Sequence, residues 1–312
     1  MSYDIATHHS AGFAWPWVDV DRTRDEPLPP VTDADDRPAV RDLIAKHSKA
    51  IEAVRHNLEG DPLYDPSRHD DLWVLRFVLS HKKVKPATAA AKSTLKYRLK
   101  RGFDQHDIRA DWPGPNCSLE CVRKYYSCLD DDALVFSLPH PDRGIAVFIR
   151  LAGFDQRKLV ELLTVEEWPF WYTAEWTFQQ VDSITRRTGR LTKTFRCVDL
   201  NGIRMKQIDR ENMKRNGAAA KEFEDNYPQL LKALYVCNAP SWIQAPFKLF
   251  RPLMPKRFLE KFNFVNPENK QKDAQLFLKF MSAEHVPTRF GGNYSQWPVP
   301  AQIITEKDIT EP

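Results

Sequence analysis

Thr194-Phe195-Arg196-Cys197-Val198-Asp199-Leu200-Asn201-Gly202 reads as a strand that ends in a turn. Aromatic and β-branched residues favour extended backbone, and Asn-Gly is turn chemistry. Alternate residues of a strand share a face, so Thr194, Arg196 and Val198 point one way and Phe195 and Cys197 the other. The strand is predicted to be central in its sheet. An arginine there needs an acceptor, either a neighbouring carboxylate or a ligand anion.

The flanks alternate strands and helices. Upstream, residues 134–138 and 145–151 are predicted strands joined by the turn 139–144. Thr164-x-x-Glu167 is predicted to cap a helix that runs to about Arg187, with Gly189 behind it. Downstream come a helix from about Asp209 to Glu224, a strand over 233–237, and a helix opened by Ser241-x-x-Gln244. A strand over 262–265 and a helix over 269–281 complete the pattern. Alternation of this kind argues for an α/β sheet covered by helices.

Residues 39–111 are predicted to be helical without strands. Val40, Leu43, Ile44, His47, Ile51 and Val54 fall at helical spacing. Ser67-x-x-Asp70 resembles a capping box before Leu72-Trp73-Val74-Leu75, Pro86 suits a first turn, and Gly102 suits a helix end. Residues 1–38, rich in proline and aspartate, are predicted to form an extended or disordered arm. Its cluster Phe13-Ala14-Trp15-Pro16-Trp17 is expected to pack on a domain surface. The expected organisation is an arm (1–38), a helical unit (39–111), a sheet domain (120–293) and a tail (294–312).

Composition narrows the function. The 312 residues are 42% hydrophobic, enough for a substantial core, and a net charge of +4 is too mild to imply nucleic acid. The five cysteines are odd in number, which suits free thiols in a reducing compartment. Cys117-x-x-x-Cys121 has no second pair at ligand spacing, so no metal is expected. Dinucleotide, phosphate-loop, nucleophile-elbow and zinc-protease motifs are missing, so neither an enzyme nor a cofactor is expected. Met1-Ser2-Tyr3-Asp4 has no secretory-signal character, Ser2 stands where myristoylation needs glycine, and no prenylation cysteine ends the chain. The expectation is a cytoplasmic monomer that meets membranes reversibly.

Two stretches carry candidate chemistry. Trp168, Trp171, Tyr172 and Trp176 share one face of the helix after Thr164, and Glu175 falls on that face. A carboxylate there must be paired, protonated or facing a cavity, and Arg196 is a candidate partner. The same aromatic face, with Tyr172, permits a planar cofactor such as haem, although no ligating residue stands out. A scaffold with a degenerate pocket is a further alternative. In residues 246–272, Lys248, Arg251, Lys256, Arg257, Lys261, Lys270 and Lys272 outnumber Glu260 and Glu268. Phe247, Leu249, Phe250, Leu253, Met254, Phe258, Leu259 and Phe262 interleave with them. Such a basic amphipathic segment suits an anionic membrane surface, and Pro252 and Pro255 hint at a helix that can swing.

Five ordered motifs carry a family resemblance. Asp199-Leu200-Asn201-Gly202, Asn226-Tyr227-Pro228, Tyr235-Val236-Cys237-Asn238-Ala239-Pro240, Phe250-Arg251-Pro252-Leu253 and Val286-Pro287-x-x-Phe290-Gly291-Gly292 resemble successive signatures of CRAL-TRIO domains. Upstream, Leu75-Arg76-Phe77 followed by Trp112 resembles the helical unit that precedes such domains. The resemblance implies a mixed sheet flanked by helices around an apolar pocket, a gate helix from Pro246 to about Leu259, and a phospholipid or other hydrophobic ligand. The family's phosphatidylinositol signature is incomplete: Gln229 stands where a glutamate follows Tyr-Pro, Lys261 matches the inositol-contacting lysine, and Phe258 replaces a threonine. The turn Leu79-Ser80-His81-Lys82 replaces an arginine-rich one. The small hydroxyl pair of phosphatidylcholine binders maps to Thr194 and Arg196, so an anionic or unusual ligand is favoured. Expected ligand contacts are Trp171, Tyr172, Glu175, Trp176, Thr194, Arg196, Tyr227, Gln229, Phe247, Phe250, Leu253, Phe258 and Lys261. Expected membrane contacts are Phe247, Lys248, Phe250, Arg251, Lys256 and Arg257.

Overall fold

Asp70 accepts a hydrogen bond from the Trp73 amide at 3.0 Å and starts a helix in which every residue from Leu72 to Val78 except Arg76 is apolar or aromatic. In the computed structural model, described here for residues 15, 37–137, 144–243, 247–249, 251–265, 282–295 and the backbone of 303–304, this is the second of three helices. α1 (Val40–Leu58), α2 (Asp71–His81) and α3 (Val84–Arg101) pack on one another and bury Ile51, Val54, Leu58, Trp73, Phe77 and Leu95. Gly102, at φ 69°, ends α3 in the left-handed conformation that costs glycine little. Ser67 does not cap α2: its hydroxyl hydrogen-bonds Asp65, and Asp70 serves as the cap itself.

Trp15 of the arm packs against the helical unit, as expected of its cluster. It is 2% exposed, and its ring meets His69 edge-on at 5.3 Å while the Arg98 guanidinium lies over it at 5.0 Å. His69 in turn packs on Tyr64 and Trp73, and its Nδ1 accepts a hydrogen bond from the Asp65 amide at 2.9 Å. The rest of the arm before Arg37 lies outside the described residues.

The second unit is a six-stranded sheet in the order β5-β4-β3-β2-β1-β6. β1 (Leu134–Ser137) and β2 (Ala146–Arg150) are antiparallel. β2, β3 (Thr194–Asp199), β4 (Leu231–Cys237) and β5 (Phe262–Phe264) run parallel, and β6 (Ile303–Ile304) pairs parallel with β1. Side chains alternate across the sheet as a period of two requires. Val135, Phe148, Phe195, Cys197 and Tyr235 form one apolar cluster with Val286, Phe290 and Tyr294. Leu134, Phe136, Val147, Leu234 and Val236 belong to the larger cluster under the helices. α4 (Glu120–Tyr126), α5 (Gln156–Leu162), α6 (Phe170–Thr188) and α7 (Arg210–Asn226) complete the described helices of this unit before residue 240.

Several elements start or stop elsewhere than predicted. Thr164 and Glu167 do exchange capping hydrogen bonds, at 3.0 and 3.2 Å, but they close a turn. α6 begins only after Pro169, whose ring supplies a preset φ and needs no amide partner. The segment predicted to be one gate helix is divided: Arg251–Leu253 is a 3-10 turn and Lys256–Leu259 a single helical turn, with Pro252 and Pro255 interrupting the hydrogen-bond ladder. The predicted helix over 269–281, Pro246 and Phe250 lie outside the described residues.

α6 joins the two units through buried charge. Glu175, 0% exposed, accepts two parallel hydrogen bonds from Arg98 of α3, at 2.9 and 3.0 Å. Gln179 Nε2 and the Tyr227 hydroxyl donate to the same carboxylate at 2.9 and 3.0 Å, and Arg98 Nε reaches Asp104 at 2.6 Å. Two helical turns on, Asp182 binds Arg76 of α2 at 3.0 Å and Arg186 at 2.8 Å, and Arg186 continues to Asp70 at 2.6 Å.

Two expectations follow. Burial lowers the His69 pKa from 6.5 to about 4, so the ring folds neutral. The unfolded chain then binds the extra proton between these values, and stability present above pH 6.5 falls as pH drops toward 4, by up to about 3 kcal/mol. Urea unfolding across that window measures the loss; His69→Gln should flatten it, and an unchanged slope would count against a neutral ring. Separately, Glu175→Ala should destabilise the protein by about 3–5 kcal/mol, because Arg98 keeps its charge in a closed site. The double variant Glu175→Leu with Arg98→Met should recover most of that loss in the same urea titration.

Candidate functional site

The helix-covered face of the sheet is not filled. Val147 and Ile149 of β2, Arg196 and Val198 of β3, and Leu234 and Val236 of β4 form the floor of a cavity of about 270 Å³. Phe170 and Thr173 of α6 and Met213, Asn216 and Ala220 of α7 form its roof. Phe247, Phe258, Phe262 and Phe264 wall one side. These four rings touch: Phe247 meets Phe262 at 5.8 Å and Phe264 at 5.3 Å, and Phe258 meets Phe262 at 5.4 Å. The polar side chains of the wall are few. Gln156 accepts from the Asn212 amide at 3.0 Å, and Asn216 accepts from the Trp168 indole at 3.2 Å.

Arg196 is the charged residue of this wall. It is 5% exposed, and its guanidinium lies between the rings of Phe170 and Phe223, each centroid 5.0 Å away. Among the described residues no carboxylate or carbonyl accepts a hydrogen bond from it, and its Nε is buried without a partner. Glu175 is not its acceptor, because that carboxylate is taken by Arg98. Glu224, the nearest acid to influence it, is bound to Lys261 at 2.5 Å. Each cation–π contact contributes about 1–2 kcal/mol at a desolvated site, against several kcal/mol to remove the guanidinium from water. Burial accordingly lowers its pKa to about 10, which leaves it charged at neutral pH.

Of the residues expected to meet a ligand, Arg196, Phe247 and Phe258 come together here. The aromatic face of α6 turns away from this cavity, with Trp176 edge-on to Phe136 of β1 at 5.1 Å. The Tyr172 hydroxyl is bound to the Asp111 carboxylate, and the Trp176 indole donates to the Arg109 carbonyl at 3.0 Å. Trp171 stacks under Arg101 at 4.6 Å and, with Tyr227, borders a separate cavity of about 70 Å³. Thr194 is buried with its hydroxyl on the Ile145 carbonyl at 2.7 Å, beside a register shift between Thr194 and Phe195. Leu253 is 44% exposed outside the cavity wall.

Gln229 and Lys261 lie in a second polar group at the end of α2. Gln229, held at φ 64°, donates to the Ser80 hydroxyl at 2.9 Å and accepts from Lys193 at 2.5 Å. Burial, with Lys232 and Lys261 nearby, lowers the Lys193 pKa to about 8. Arg257 joins this group through Asp225 at 3.3 Å and His81 at 3.2 Å. Lys248, Arg251 and Lys256 are exposed. Phe170, Phe223 and Tyr125, which surround Arg196 or border the cavity, are not singled out by sequence reasoning; their only signal is apolar character on helices facing a sheet. Among the described residues no group of three or more His, Cys, Asp or Glu side chains could hold a metal ion, and no helix is long and apolar enough to cross a membrane.

Known proteins share this architecture. A family model for the CRAL/TRIO domain matches residues 169–292. Patellin-3 of Arabidopsis thaliana is 24% identical over 263 residues, which cover 81% of this chain and 49% of that relative. The SEC14 cytosolic factor of Eremothecium gossypii is 24% identical over 256 residues, 80% of this chain and 77% of the relative. The chain thus spans about half the length of Patellin-3. The crystal structure of Sfh5 superposes with a TM-score of 0.54 at 12% identity, covering 91% of this chain and 96% of that one, a likeness of fold. Residues 169–292 are therefore a CRAL/TRIO domain.

Proposed function

We propose that the protein holds a single amphipathic lipid in the cavity over β2, β3 and β4, and that it transfers the lipid between membranes or presents it to a lipid-modifying enzyme. The observation that carries this reading is the cavity wall, mostly apolar and closed on one side by Phe247, Phe258, Phe262 and Phe264. Each buried methylene contributes about 0.8 kcal/mol, so ~10 of them supply roughly 8 kcal/mol, the free energy of micromolar binding. No bond need be made or broken: apolar surface supplies affinity and a few polar groups orient the head.

The segment 247–264 is the proposed door. Leu249, Leu253 and Phe264 are 65%, 44% and 47% exposed, and Lys248, Arg251 and Lys256 are exposed beside them. Apolar side chains with basic neighbours suit insertion at an anionic membrane surface. The interruptions at Pro252 and Pro255 offer hinge points for the Phe247 and Phe258 rings to leave the cavity.

Leu249→Asp should slow lipid transfer between liposomes by tenfold or more while leaving urea unfolding unchanged, since the side chain is mostly in water. Transfer at the wild-type rate would exclude this surface as the door. Each exposed basic residue near an anionic membrane contributes about 1 kcal/mol. Replacing Lys248, Arg251 and Lys256 together by Gln should therefore weaken sedimentation with phosphatidylserine-containing vesicles by tens-fold, and raised salt should weaken the wild type likewise. Equal binding to neutral and anionic vesicles at low salt would contradict the assignment.

A further inference from the structure

Arg196 presents an unusual electrostatic problem in the middle of an apolar cavity. Two rings hold it, with its guanidinium carbon 5.0 Å from the ring centroids of Phe170 and Phe223. A guanidinium hydrogen-bonds in its plane, through a fork of N–H groups that fits two oxygens of one oxyanion. Its nearest ring neighbours are thus apolar, its Nε is buried without a partner, and no hydrogen-bond acceptor meets the guanidinium among the described residues. The one carboxylate whose charge reaches it, Glu224, is engaged with Lys261, and Glu175 is engaged with Arg98. Tyr125, which borders the same cavity, is a phenol that burial keeps protonated, so it offers a hydroxyl and no charge. The amides of Gln156, Asn212 and Asn216 are neutral.

The chemistry of the wall narrows the ligand. A neutral head would leave the guanidinium as costly as it is in the free protein. A zwitterionic head would bring a quaternary ammonium into the same apolar space, with no carboxylate there to receive it. An oxyanion with two equivalent oxygens satisfies the fork and cancels the charge, and its tail lies along Val147, Ile149, Val198, Leu234 and Val236. We infer that the bound lipid is an acidic amphipath, a carboxylate or a phosphate monoester, whose anionic head is buried against Arg196 between Phe170 and Phe223. This rests on the cavity being the lipid site. It adds the class of lipid and the burial of its head inside the cavity.

The test uses the full-length protein, stripped of lipid, and three probes with one oleoyl chain: oleate, oleoyl lysophosphatidate and oleyl alcohol. Calorimetric titration below the aggregation limit of each probe should give at least one of the two anions binding tenfold or more tightly than the alcohol. Which anion does so identifies carboxylate or phosphate as the natural head. Arg196→Met, which keeps the length and volume of the stem, should erase the preference while leaving alcohol binding within a few-fold of wild type. Arg196→Lys should retain part of the preference, because a point charge remains without the fork. Thermal unfolding of Arg196→Met should be cooperative, with a midpoint no lower than that of the unliganded wild type. If the wild type binds all three probes equally, or if folded Arg196→Met keeps the anion preference, the inference is overturned while lipid binding stands. If no probe binds the wild type, the lipid reading itself fails. The wild-type comparison does not depend on any variant folding.

Discussion

The Glu175 carboxylate, closed off from water, takes hydrogen bonds from Arg98, Gln179 and Tyr227 and so ties α3, α6 and the end of α7 at one point. The bidentate geometry and the neutral donors on the remaining lone pairs are what make a buried ion pair tolerable. Asp182 forms a second buried carboxylate–arginine contact two helical turns later, with Arg76 and Arg186. These contacts orient α6 about its axis: Trp171 and Tyr172 are committed to the helical unit, Trp176 packs between that unit's Arg109 carbonyl and Phe136 of β1, and Phe170 and Thr173 are left over the cavity. The cavity therefore exists partly because the helical unit claims the largest side chains of α6.

The same commitment isolates Arg196. An acidic partner on α6 would have neutralised the cavity and suited a neutral or zwitterionic lipid; with Glu175 spent on Arg98, the cavity keeps a net positive charge. An unfilled cavity with a buried cation is an expense for the folded state, in lost packing and in desolvation. A ligand that fills the space and supplies the anion relieves both, and any ligand that binds only the folded state stabilises it by mass action. The door faces the opposite condition. Its basic residues are in water or paired at the rim, as Arg257 is with Asp225, and they act on a membrane surface through screened charge.

Much of this was legible before the coordinates. The period of two in 194–198 correctly separates Arg196 and Val198 from Phe195 and Cys197, because a buried strand has no freedom to slip by one residue. Asp209 caps α7 through the Asn212 amide at 2.8 Å, close to where the pattern starts the helix. What the pattern does not carry is partner choice. Helical spacing puts Glu175 on an aromatic face, but whether that face meets a sheet or a second unit depends on Arg98, 77 residues earlier in the chain. Trp15 is a similar case: a proline-rich arm reads as loose, and only the gap beside His69 and Arg98 explains why its tryptophan is buried. Thr164 and Glu167 satisfy the capping-box pattern, yet local hydrogen bonds of that kind close a turn equally well when Pro169 sets the helix start.

The most direct measurement is native mass spectrometry of the protein purified without detergent, followed by extraction and identification of what it carries. A lipid in the cavity predicts a species heavier than the bare chain by one lipid mass, at one ligand per chain, with an acidic head group in the extract. Only the bare-chain mass, persisting after incubation with a mixed lipid extract, would contradict a cavity built to hold a lipid.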